Sequence, residues 1–287
     1  MKISVLSGKG GTGKTFVSVN LASVCNNALY VDCDVEEPNG NLFFKAKGIA
    51  EEQVSTQIPL FNKELCIGCR KCVDFCKFSA LAYIKDCVYI FEELCHSCGG
   101  CILLCPQKAL GEKEKVIGKI QNGVSEGVSV MTGILNTGET TGVPIIKRLL
   151  DKCKETDKTV FFDCPPGSSC SVMESIKDAD YCIIIAEPTI FGEQNLSMVY
   201  ELVKLFKKPH GVILNKYING SNPSERFCER NKIKILGKIP FDNNIGELNS
   251  KGYIVARERE IYKDKFEDLL QDIIREAADE AIINSER

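Results

Sequence analysis

Residues 8–15 read Gly-Lys-Gly-Gly-Thr-Gly-Lys-Thr, and this short stretch decides the fold. It follows the apolar run Ile3 to Leu6 and precedes a segment, Thr15 to Val24, whose apolar residues have helical spacing. The stretch matches the pattern G-x-x-x-x-G-K-[ST], in which a strand ends in a glycine-rich loop that opens a helix. The sequence therefore predicts a P-loop within an α/β domain.

The chemistry of such a loop is the binding of nucleotide phosphates. Its glycines let consecutive backbone N–H groups turn towards phosphate oxygens, and the N-terminus of the following helix adds partial positive charge. We expect Lys14 to reach the β- and γ-phosphates and the Thr15 hydroxyl to bind Mg²⁺. The predicted nucleotide-binding residues of the loop are Gly8, Lys9, Gly10, Gly11, Thr12, Gly13, Lys14, Thr15 and Phe16.

Further apolar runs of buried-strand length predict the rest of the sheet. They are Ala28 to Val31, Thr159 to Phe162, Tyr181 to Ala186 and Gly211 to Leu214. The last three are each followed by a turn and a helical pattern, as expected for a parallel sheet covered on both faces. The alternation of strands and helices stops between Leu65 and Leu110, and we expect it to resume near Val116.

Composition and charge exclude several classes of function. A chain of 287 residues with a net charge of −3 offers no electrostatic case for binding nucleic acid. No apolar run is long enough to span a bilayer, and the first residues do not form a secretory signal, so we expect a cytoplasmic protein. An apolar stripe runs from Tyr262 to Ala281. Residues 263–287 hold four basic and eight acidic side chains, which predicts packing on the core and no stable membrane anchor.

The count of sixteen cysteines is unusual, and eight of them form two closely spaced runs within one short segment. A cytosolic chain keeps its thiols reduced, so clustered spacing points to metal binding. The runs have the C-x2-C-x2-C-x3-C spacing of bacterial ferredoxins, whereas zinc sites usually use separated C-x2-C pairs. Structural zinc sites and free thiols are the alternatives. The two runs, 29 residues apart, are Cys66, Cys69, Cys72, Cys76 and Cys95, Cys98, Cys101, Cys105.

The segment resembles two-cluster bacterial ferredoxins over its whole length, and the resemblance implies two [4Fe–4S] clusters. In that pattern the fourth cysteine of each run serves the other cluster. One cluster would therefore be bound by Cys66, Cys69, Cys72 and Cys105. The other would be bound by Cys95, Cys98, Cys101 and Cys76. The segment departs from the pattern at Lys77, where a proline follows the other run.

The remainder of the chain resembles the MinD/ParA/Mrp/nitrogenase-iron-protein group of ATPases with a deviant Walker A loop. The first match is Lys9, the additional lysine of that loop. The other matches are Asp32-Cys-Asp34, Val160-Phe-Phe-Asp163-Cys-Pro-Pro-Gly167, Ile213-Leu-Asn215-Lys216 and Ile239-Pro240-Phe241-Asp242.

This resemblance implies roles for the matched residues. Lys9 would cross a dimer interface to the partner's nucleotide, and Asp34 would place the attacking water. Together with Lys14 and Asp163 they form the predicted catalytic set, while Mg²⁺ would be held by Thr15, Asp32 and Asp163. The resemblance further adds nucleotide contacts from Gly167, Asn215, Lys216 and Pro240.

Cys170 forms a separate hypothesis. It lies seven residues beyond Asp163, the offset of a cluster-ligating cysteine in nitrogenase iron proteins. The resemblance implies a metal site at the subunit interface, formed by Cys170 alone or with Cys164. The alternative is a small buried thiol that packs under the loop.

The whole chain resembles MinD-superfamily ATPases with an inserted ferredoxin domain. The predicted domains are a discontinuous P-loop ATPase domain, residues 1–60 and 112–287, and an α+β ferredoxin-like insert, residues 61–111, placed right after the first switch region. The predicted cofactors are ATP or ADP, Mg²⁺ and the two clusters.

The leading hypothesis is a dimer- or partner-stimulated ATP hydrolase whose nucleotide state gates electron transfer through the clusters. One alternative is an ATPase that assembles or carries metalloclusters. Another is a MinD-like positioning or scaffold ATPase. Predicted partners are a second copy or a related ATPase subunit, together with a redox or metallocluster protein.

Overall fold

The computed structural model describes residues 1–220 and 222–285. The strands are β1 (Lys2–Leu6), β2 (Ala28–Asp32), β3 (Lys47–Phe61), β4 (Leu81–Ile84), β5 (Cys87–Ile90), β6 (Leu110–Ser125), β7 (Val128–Leu135), β8 (Thr159–Asp163), β9 (Tyr181–Ala186), β10 (His210–Tyr217) and β11 (Ile235–Pro240). The helices are α1 (Lys14–Val24), α2 (Gly40–Phe44), α3 (Lys71–Phe75), α4 (Gly100–Leu103), α5 (Val143–Lys152), α6 (Cys170–Ile176), α7 (Ile190–Leu205), α8 (Pro223–Asn231), α9 (Asn243–Ser250), α10 (Val255–Glu258) and α11 (Glu260–Ser285).

A nine-stranded sheet forms the centre of the molecule, in the order β11-β10-β9-β1-β8-β2-β7-β6-β3. The strands from β11 to β7 are parallel, and β6 and β3 add two antiparallel strands at one end. Helices α5 to α8 cover one face, and α1, α10 and α11 cover the other. The predicted mainly parallel α/β fold is confirmed.

Burial explains why the apolar runs become these strands. All six residues of β9 are buried, which matches a parallel strand with helices on both sides. Helix α11 buries Phe266, Leu270, Ile273 and Ala277 against the sheet, so its apolar stripe packs on the core as predicted. The side chain of Ala281 lies outside the described residues. Among the helices described, none combines the length and apolarity needed to cross a membrane.

The predicted alternation of strands and helices near Val116 is wrong. Instead, β6 and β7 form an antiparallel hairpin, joined by Glu126 and Gly127, before α5 begins. Strand β3 was not predicted either, because most of its side chains are exposed and it lacks an apolar run. Helix α2 and strand β3 both lie between Asp34 and the first cysteine of the insert, so the insert does not follow the first switch region directly.

The cysteine-rich segment lies between the end of β3 and the start of β6. It contains the two-stranded sheet of β4 and β5 and a small apolar cluster that includes Leu81 and Val88. Its two halves repeat the same backbone: a 3₁₀ turn, the first cysteines and then α3 or α4. The halves exchange equivalent hydrogen bonds, since Asn62 N donates to Ala109 O at 2.8 Å and Phe91 N donates to Ala80 O at 2.9 Å.

Candidate functional site

The P-loop connects β1 to α1 at the carboxyl edge of the sheet. Gly11 and Gly13 have φ angles of +76° and +99°, a region that disfavours residues with a Cβ. A Cβ at Gly13 would lie 2.1 Å from the Asn215 side-chain nitrogen, and one at Gly8 would lie 2.5 Å from the carbonyl oxygen of Asn195. These glycines are therefore required by conformation and by close packing, which is the construction expected of a phosphate cradle.

Lys14 is the first residue of α1 and is buried among carboxylates. Its Nζ lies 2.6 Å from Asp163 Oδ1 and 3.7 Å from Asp34 Oδ2. Burial alone would lower the pKa of Lys14, but Asp163 and, to a smaller extent, Asp34 and Asp32 outweigh it and raise the pKa above its ordinary value. Lys14 is therefore a fixed positive charge at the centre of the site.

Asp32 and Asp163 end the adjacent parallel strands β2 and β8 and are direct register partners. Asp32 accepts hydrogen bonds from Gly40 N at 2.8 Å and from Asp34 N at 3.1 Å. Burial raises the pKa of Asp32 to about 8, and the charge of Asp163 contributes to the rise. Neighbouring buried carboxylates repel each other, so a divalent cation between them would be stabilising. This donor set fits Mg²⁺.

Asp34 lies at the rim of the same group. Its side chain is 19% exposed. Burial raises the pKa of Asp34 to about 6, and Asp163 adds to this effect against the attraction of Lys14. Thr15, in the first turn of α1, is half-buried. The predicted catalytic residues Lys14, Asp34 and Asp163 therefore do meet in one place.

Tyr30, which lies beneath these carboxylates, was not singled out by sequence reasoning. Its side chain is fully buried on β2, and its hydroxyl donates to Asp163 Oδ2 at 2.8 Å. A polar residue within a predicted apolar strand was the available signal.

Lys9, the additional lysine of the loop, forms an ion pair within its own chain. Its Nζ lies 2.6 Å from Glu187 Oε2, and Lys216 Nζ lies 2.6 Å from Glu187 Oε1. Glu187 directly follows β9 and was missed by sequence reasoning, although an acidic residue at the end of a buried parallel strand was a usable signal. Lys216 Nζ also contacts Gly11 O at 2.8 Å. Three charged groups thus meet beside the P-loop.

The residues predicted near the nucleotide base lie at the ends of neighbouring strands. Asn215 is buried and donates from its side chain to Thr12 O at 2.8 Å, so it supports the P-loop. Pro240 ends β11 opposite Tyr217. The side chain of Phe16 does not reach the loop surface, because it packs in the core against Phe266 with ring centroids 5.8 Å apart. Any nucleotide contact from Phe16 would come from its backbone.

The second switch segment holds Gly167 and Cys170. Gly167 has a φ of +91°, and its N–H donates to Ser7 O at 2.9 Å, so contact with a phosphate would require this hydrogen bond to open. Cys170 begins α6 and is exposed. Cys164 is fully buried and cannot share a surface site with Cys170 in this conformation, which corrects that part of the hypothesis.

Four of the predicted cluster cysteines surround one cavity in the cysteine-rich segment. Cys105 joins the lining although it is distant in sequence from the other three. Backbone N–H groups also point at cysteine sulfurs, as in Ala109 N to Cys105 Sγ at 3.2 Å and Ser97 N to Cys95 Sγ at 3.4 Å. The cavity cysteines are Cys66, Cys69, Cys72 and Cys105.

The second set of cysteines is less closely defined. Burial raises the pKa of Cys101 to about 11, with a contribution from the nearby thiols of Cys95 and Cys98, so these three lie close together. Cys76 is half-buried and packs against the small apolar cluster. Within the described residues, no group of three or more His, Cys, Asp or Glu side chains is arranged to hold a single metal ion. A cubane cluster differs from a single ion because each thiolate binds a separate iron.

Comparisons with known proteins cover most of the chain. The family model described as CobQ/CobB/MinD/ParA nucleotide binding domain matches residues 3–255. The uncharacterized protein MJ0578 from Methanocaldococcus jannaschii is 30% identical over 253 residues, which cover 86% of this chain and 87% of that protein. The septum site-determining protein MinD from Pyrococcus horikoshii, solved in complex with Mg-ADP, has a TM-score of 0.53 at 19% identity over 96% of this chain and 93% of that one. This structural likeness concerns the fold.

A shorter match involves a protein of another kind. One component of an ion-translocating oxidoreductase complex from Methanosarcina acetivorans is 42% identical over 45 residues, which are 16% of this chain and 17% of that protein. The names of these relatives mention no iron–sulfur cluster. The prediction of clusters therefore depends mainly on the cysteines and their geometry, whereas the nucleotide-binding fold is supported by matches over nearly the whole chain.

Proposed function

This chain belongs to the CobQ/CobB/MinD/ParA nucleotide-binding family and is a MinD/ParA-like nucleotide-binding ATPase, and from that premise we propose that it couples ATP hydrolysis to a two-cluster iron–sulfur module. The observation that supports the ATPase chemistry best is the meeting of Lys14, Asp34 and Asp163 at the end of the P-loop. These groups come from three separate segments of the chain.

The residues of this site would divide the work of hydrolysis. Lys14 would exchange its contact with Asp163 for the β- and γ-phosphates, while Thr15, Asp32 and Asp163 would hold Mg²⁺. Bound Mg²⁺ supplies charge neutralisation of the phosphates. Asp34 would orient the attacking water, because an aspartate with a pKa of about 6 is ionised at neutral pH yet accepts a proton more readily than an ordinary one.

The proposed active form is a nucleotide-dependent dimer, with a second copy or a related ATPase subunit. In this proposal Lys9 reaches the partner's nucleotide. Glu187 now holds Lys9 within its own chain at 2.6 Å, so this ion pair would have to open when the dimer forms. Such a partly exposed pair contributes little stability, and its exchange for a phosphate contact would cost little. A bridging metal at the exposed Cys170 remains part of the proposal.

The proposed iron–sulfur module comprises residues 61–111. Cys66, Cys69, Cys72 and Cys105 fit one cluster, because they line a single cavity and Cys105 crosses from the other half of the segment. Cys95, Cys98, Cys101 and Cys76 would hold the second cluster by the same repeat. Bound clusters would supply one-electron chemistry, and the backbone N–H groups directed at sulfur would stabilise the negative charge on the thiolates.

A continuous path joins the two proposed sites. Asp32 accepts a hydrogen bond from Gly40 N at the start of α2, and α2 leads into β3. Asn41 on α2 also contacts Thr132 of β7 at 3.1 Å and Gln121 of β6 at 3.3 Å. Strands β3 and β6 pair with each other in antiparallel fashion, and the cysteine-rich segment connects the end of β3 to the start of β6. This path favours nucleotide-gated electron transfer to a redox partner.

The comparisons support the scaffold alternative better than electron transfer, since the whole-chain structural relatives include a MinD septum site-determining protein. In a positioning or scaffold ATPase the module would only bind a partner. In an assembly or carrier ATPase the clusters would be cargo, and iron would be transferable. The three alternatives share the ATPase and differ in what the clusters do.

The deciding experiment uses anaerobically purified protein. Iron and acid-labile sulfide are quantified, ATP hydrolysis is measured, and cluster midpoint potentials are determined without nucleotide, with Mg-ADP and with a non-hydrolysable ATP analogue. A nucleotide-dependent midpoint supports gated electron transfer. Identical midpoint potentials in all three nucleotide states, together with ATP-dependent dimerisation that is the same for oxidised and reduced protein, would instead establish the scaffold alternative. A protein that lacks iron, or that does not hydrolyse ATP even as a dimer, contradicts the proposal itself.

A further inference from the structure

The carboxylate of Asp163 is held by two donors, one on each oxygen. Lys14 Nζ binds Oδ1 at 2.6 Å, and the hydroxyl of Tyr30 donates to Oδ2 at 2.8 Å. All three side chains are buried, with Lys14 at 7% exposure and Asp163 at 1%. The carboxylate plane is therefore fixed from both sides.

Another buried tyrosine of the same sheet lacks such a hydrogen bond among the described residues. Tyr181 on β9 is also fully buried, and its hydroxyl has no hydrogen-bond partner in the described part of the chain. Burying an unpaired hydroxyl is unfavourable, and a phenylalanine fills nearly the same volume. The hydroxyl of Tyr30 differs because it meets a carboxylate.

The ring of Tyr30 is itself fixed in place by the segment that follows Asp34. A Cβ at Gly40 would lie 2.3 Å from the Tyr30 ring, and the Phe44 ring lies 4.8 Å away by centroids. Gly40 also donates its N–H to Asp32 at 2.8 Å. Gly40, at the start of α2, therefore packs against the tyrosine that holds Asp163 and donates directly to Asp32.

In the proposed mechanism nucleotide binding would change the balance between these two donors. Once Lys14 had turned to the phosphates, Asp163 would lose its ion pair while Asp32 remained its register partner on β2. Two like charges at neighbouring strand ends then repel each other, and a freed carboxylate could rotate. Tyr30 is the donor that would stay, because its ring is fully buried and packed against Gly40 and Phe44.

We propose that Tyr30 is a positioning residue that keeps Asp163 oriented towards Mg²⁺ once Lys14 has moved to the phosphates. This inference rests on the proposed ATPase chemistry of the same site. Tyr30 acts only through Asp163, so it matters when Mg²⁺ is bound and not when nucleotide binds alone.

The test compares Tyr30→Phe with the matched control Tyr181→Phe, which removes a buried hydroxyl without a partner. ATP hydrolysis is measured as a function of Mg²⁺, and nucleotide affinity is measured with and without Mg²⁺. For Tyr30→Phe we expect roughly a tenfold or larger loss of kcat or of Mg²⁺ affinity, the usual effect of a hydrogen bond to a charged group. Nucleotide affinity without Mg²⁺ should stay unchanged, and Tyr181→Phe should match wild type throughout.

A Tyr30→Phe protein that melts earlier but keeps wild-type Mg²⁺ dependence and kcat would overturn the proposal, because its role would then be structural. If Tyr30→Phe folds poorly, 3-fluorotyrosine is introduced at position 30 or at position 181 instead, which keeps the ring and the hydroxyl and changes the strength of the hydroxyl as a donor. A change in Mg-ADP affinity for the position-30 protein alone supports action through Asp163, and equal Mg-ADP affinities for both proteins and wild type contradict it. A wild-type protein without ATPase activity would count against the proposed function, while the Mg-ADP affinities would still test Tyr30.

Discussion

The nucleotide site and the cysteine-rich segment are organised by different forces. In the nucleotide site Lys14 already contacts Asp163 at 2.6 Å and Asp34 at 3.7 Å, so charged groups hold each other in place. In the cysteine-rich segment the sulfurs of Cys66, Cys95 and Cys105 accept backbone N–H groups at 3.2 to 3.5 Å, and the segment has a small apolar core. The first site should persist without a ligand, whereas the second should depend on bound metal for its cohesion.

Removing the central charge is the most severe way to test this difference. Lys14→Met should lower ATP hydrolysis by about a hundredfold or more, because the lysine would neutralise charge that develops on the phosphates. Iron content should be unchanged, since Lys14 contacts Asp163 and Asp34 and none of the cysteines proposed as cluster ligands. Steady-state ATPase assays and iron analysis measure both effects.

The matched control is Lys147→Met, on the exposed side of α5. It should retain wild-type hydrolysis and wild-type iron content. If Lys14→Met hydrolysed ATP within a few-fold of this control, the assignment of the phosphate site would be wrong. If Lys14→Met lost its iron, the two sites would not be independent.

The converse test removes a single cysteine from the other region. Cys72→Ser should lower bound iron to about half, because it removes one ligand of one proposed [4Fe–4S] cluster and leaves the second set complete. Cys87→Ser is the control, since Cys87 is half-buried in the same segment but belongs to neither run. Iron and sulfide analysis with EPR would show the change. Equal iron in the two variants, or zinc in place of iron, would contradict the cluster assignment.

The two regions also differ in how far the sequence predicts them. The P-loop pattern predicted where Lys14 would lie, since a strand, a glycine-rich loop and a helix permit few geometries. Asp163 was predicted near it from the resemblance to the MinD/ParA/Mrp group, and the fold explains this position because the carboxyl ends of parallel strands share one edge of the sheet. Tyr30 was missed because a tyrosine in an apolar run is typical of a core residue. Glu187 was missed because its partners, Lys9 and Lys216, come from two other strand ends.

Strand β3 shows the limit of prediction from local pattern. Its fifteen residues form a long antiparallel pair with β6, yet the first seven are exposed or half-buried. Such an edge strand is specified by pairing with a distant segment, and periodicity does not detect that pairing. The repeated cysteine spacing, in contrast, was visible because three of the four ligands predicted for each cluster lie close together in sequence.

A smaller effect is expected from acid titration in the nucleotide site. The pKa of Asp34 rises from 3.8 to about 6 on folding, mainly through burial. The folded protein therefore holds the Asp34 proton more tightly, and this contribution to stability is complete below the unfolded pKa and lost as pH rises through about 6. Asp34→Asn should remove about 1–3 kcal/mol of pH-dependent stability between pH 4 and pH 7.

Chemical denaturation at several pH values, without nucleotide, measures this difference. The Asp34→Asn protein should gain stability relative to wild type as pH rises towards 7. Asp157→Asn is the control, since Asp157 is exposed in the loop before β8. If the free energy of unfolding of wild type and of Asp34→Asn changed with pH in the same way, the pKa of Asp34 would not be raised in the folded protein.

Within the cysteine-rich segment the comparison can be narrowed to its two halves. The repeat places Arg70 opposite Gly99, 29 residues later, so one half carries a cation where the other carries none. Arg70 lines the cavity of Cys66, Cys69, Cys72 and Cys105 and lies over the Tyr83 ring at 4.8 Å. A cation held near a cluster stabilises its reduced, more negative state.

Arg70→Gln should therefore lower the midpoint potential of the cluster proposed at this cavity, by an amount on the order of tens of millivolts, and leave the other proposed cluster unchanged. Lys85→Gln removes an equal charge from an exposed turn of the same segment that does not line the cavity, so its midpoints should match wild type. Redox titration followed by EPR separates the two clusters. A local cation acts mainly on the nearer cluster. Equal shifts in the midpoint potentials of both proposed clusters, in either variant, would therefore contradict a local effect of Arg70 and indicate an effect of the segment's net charge.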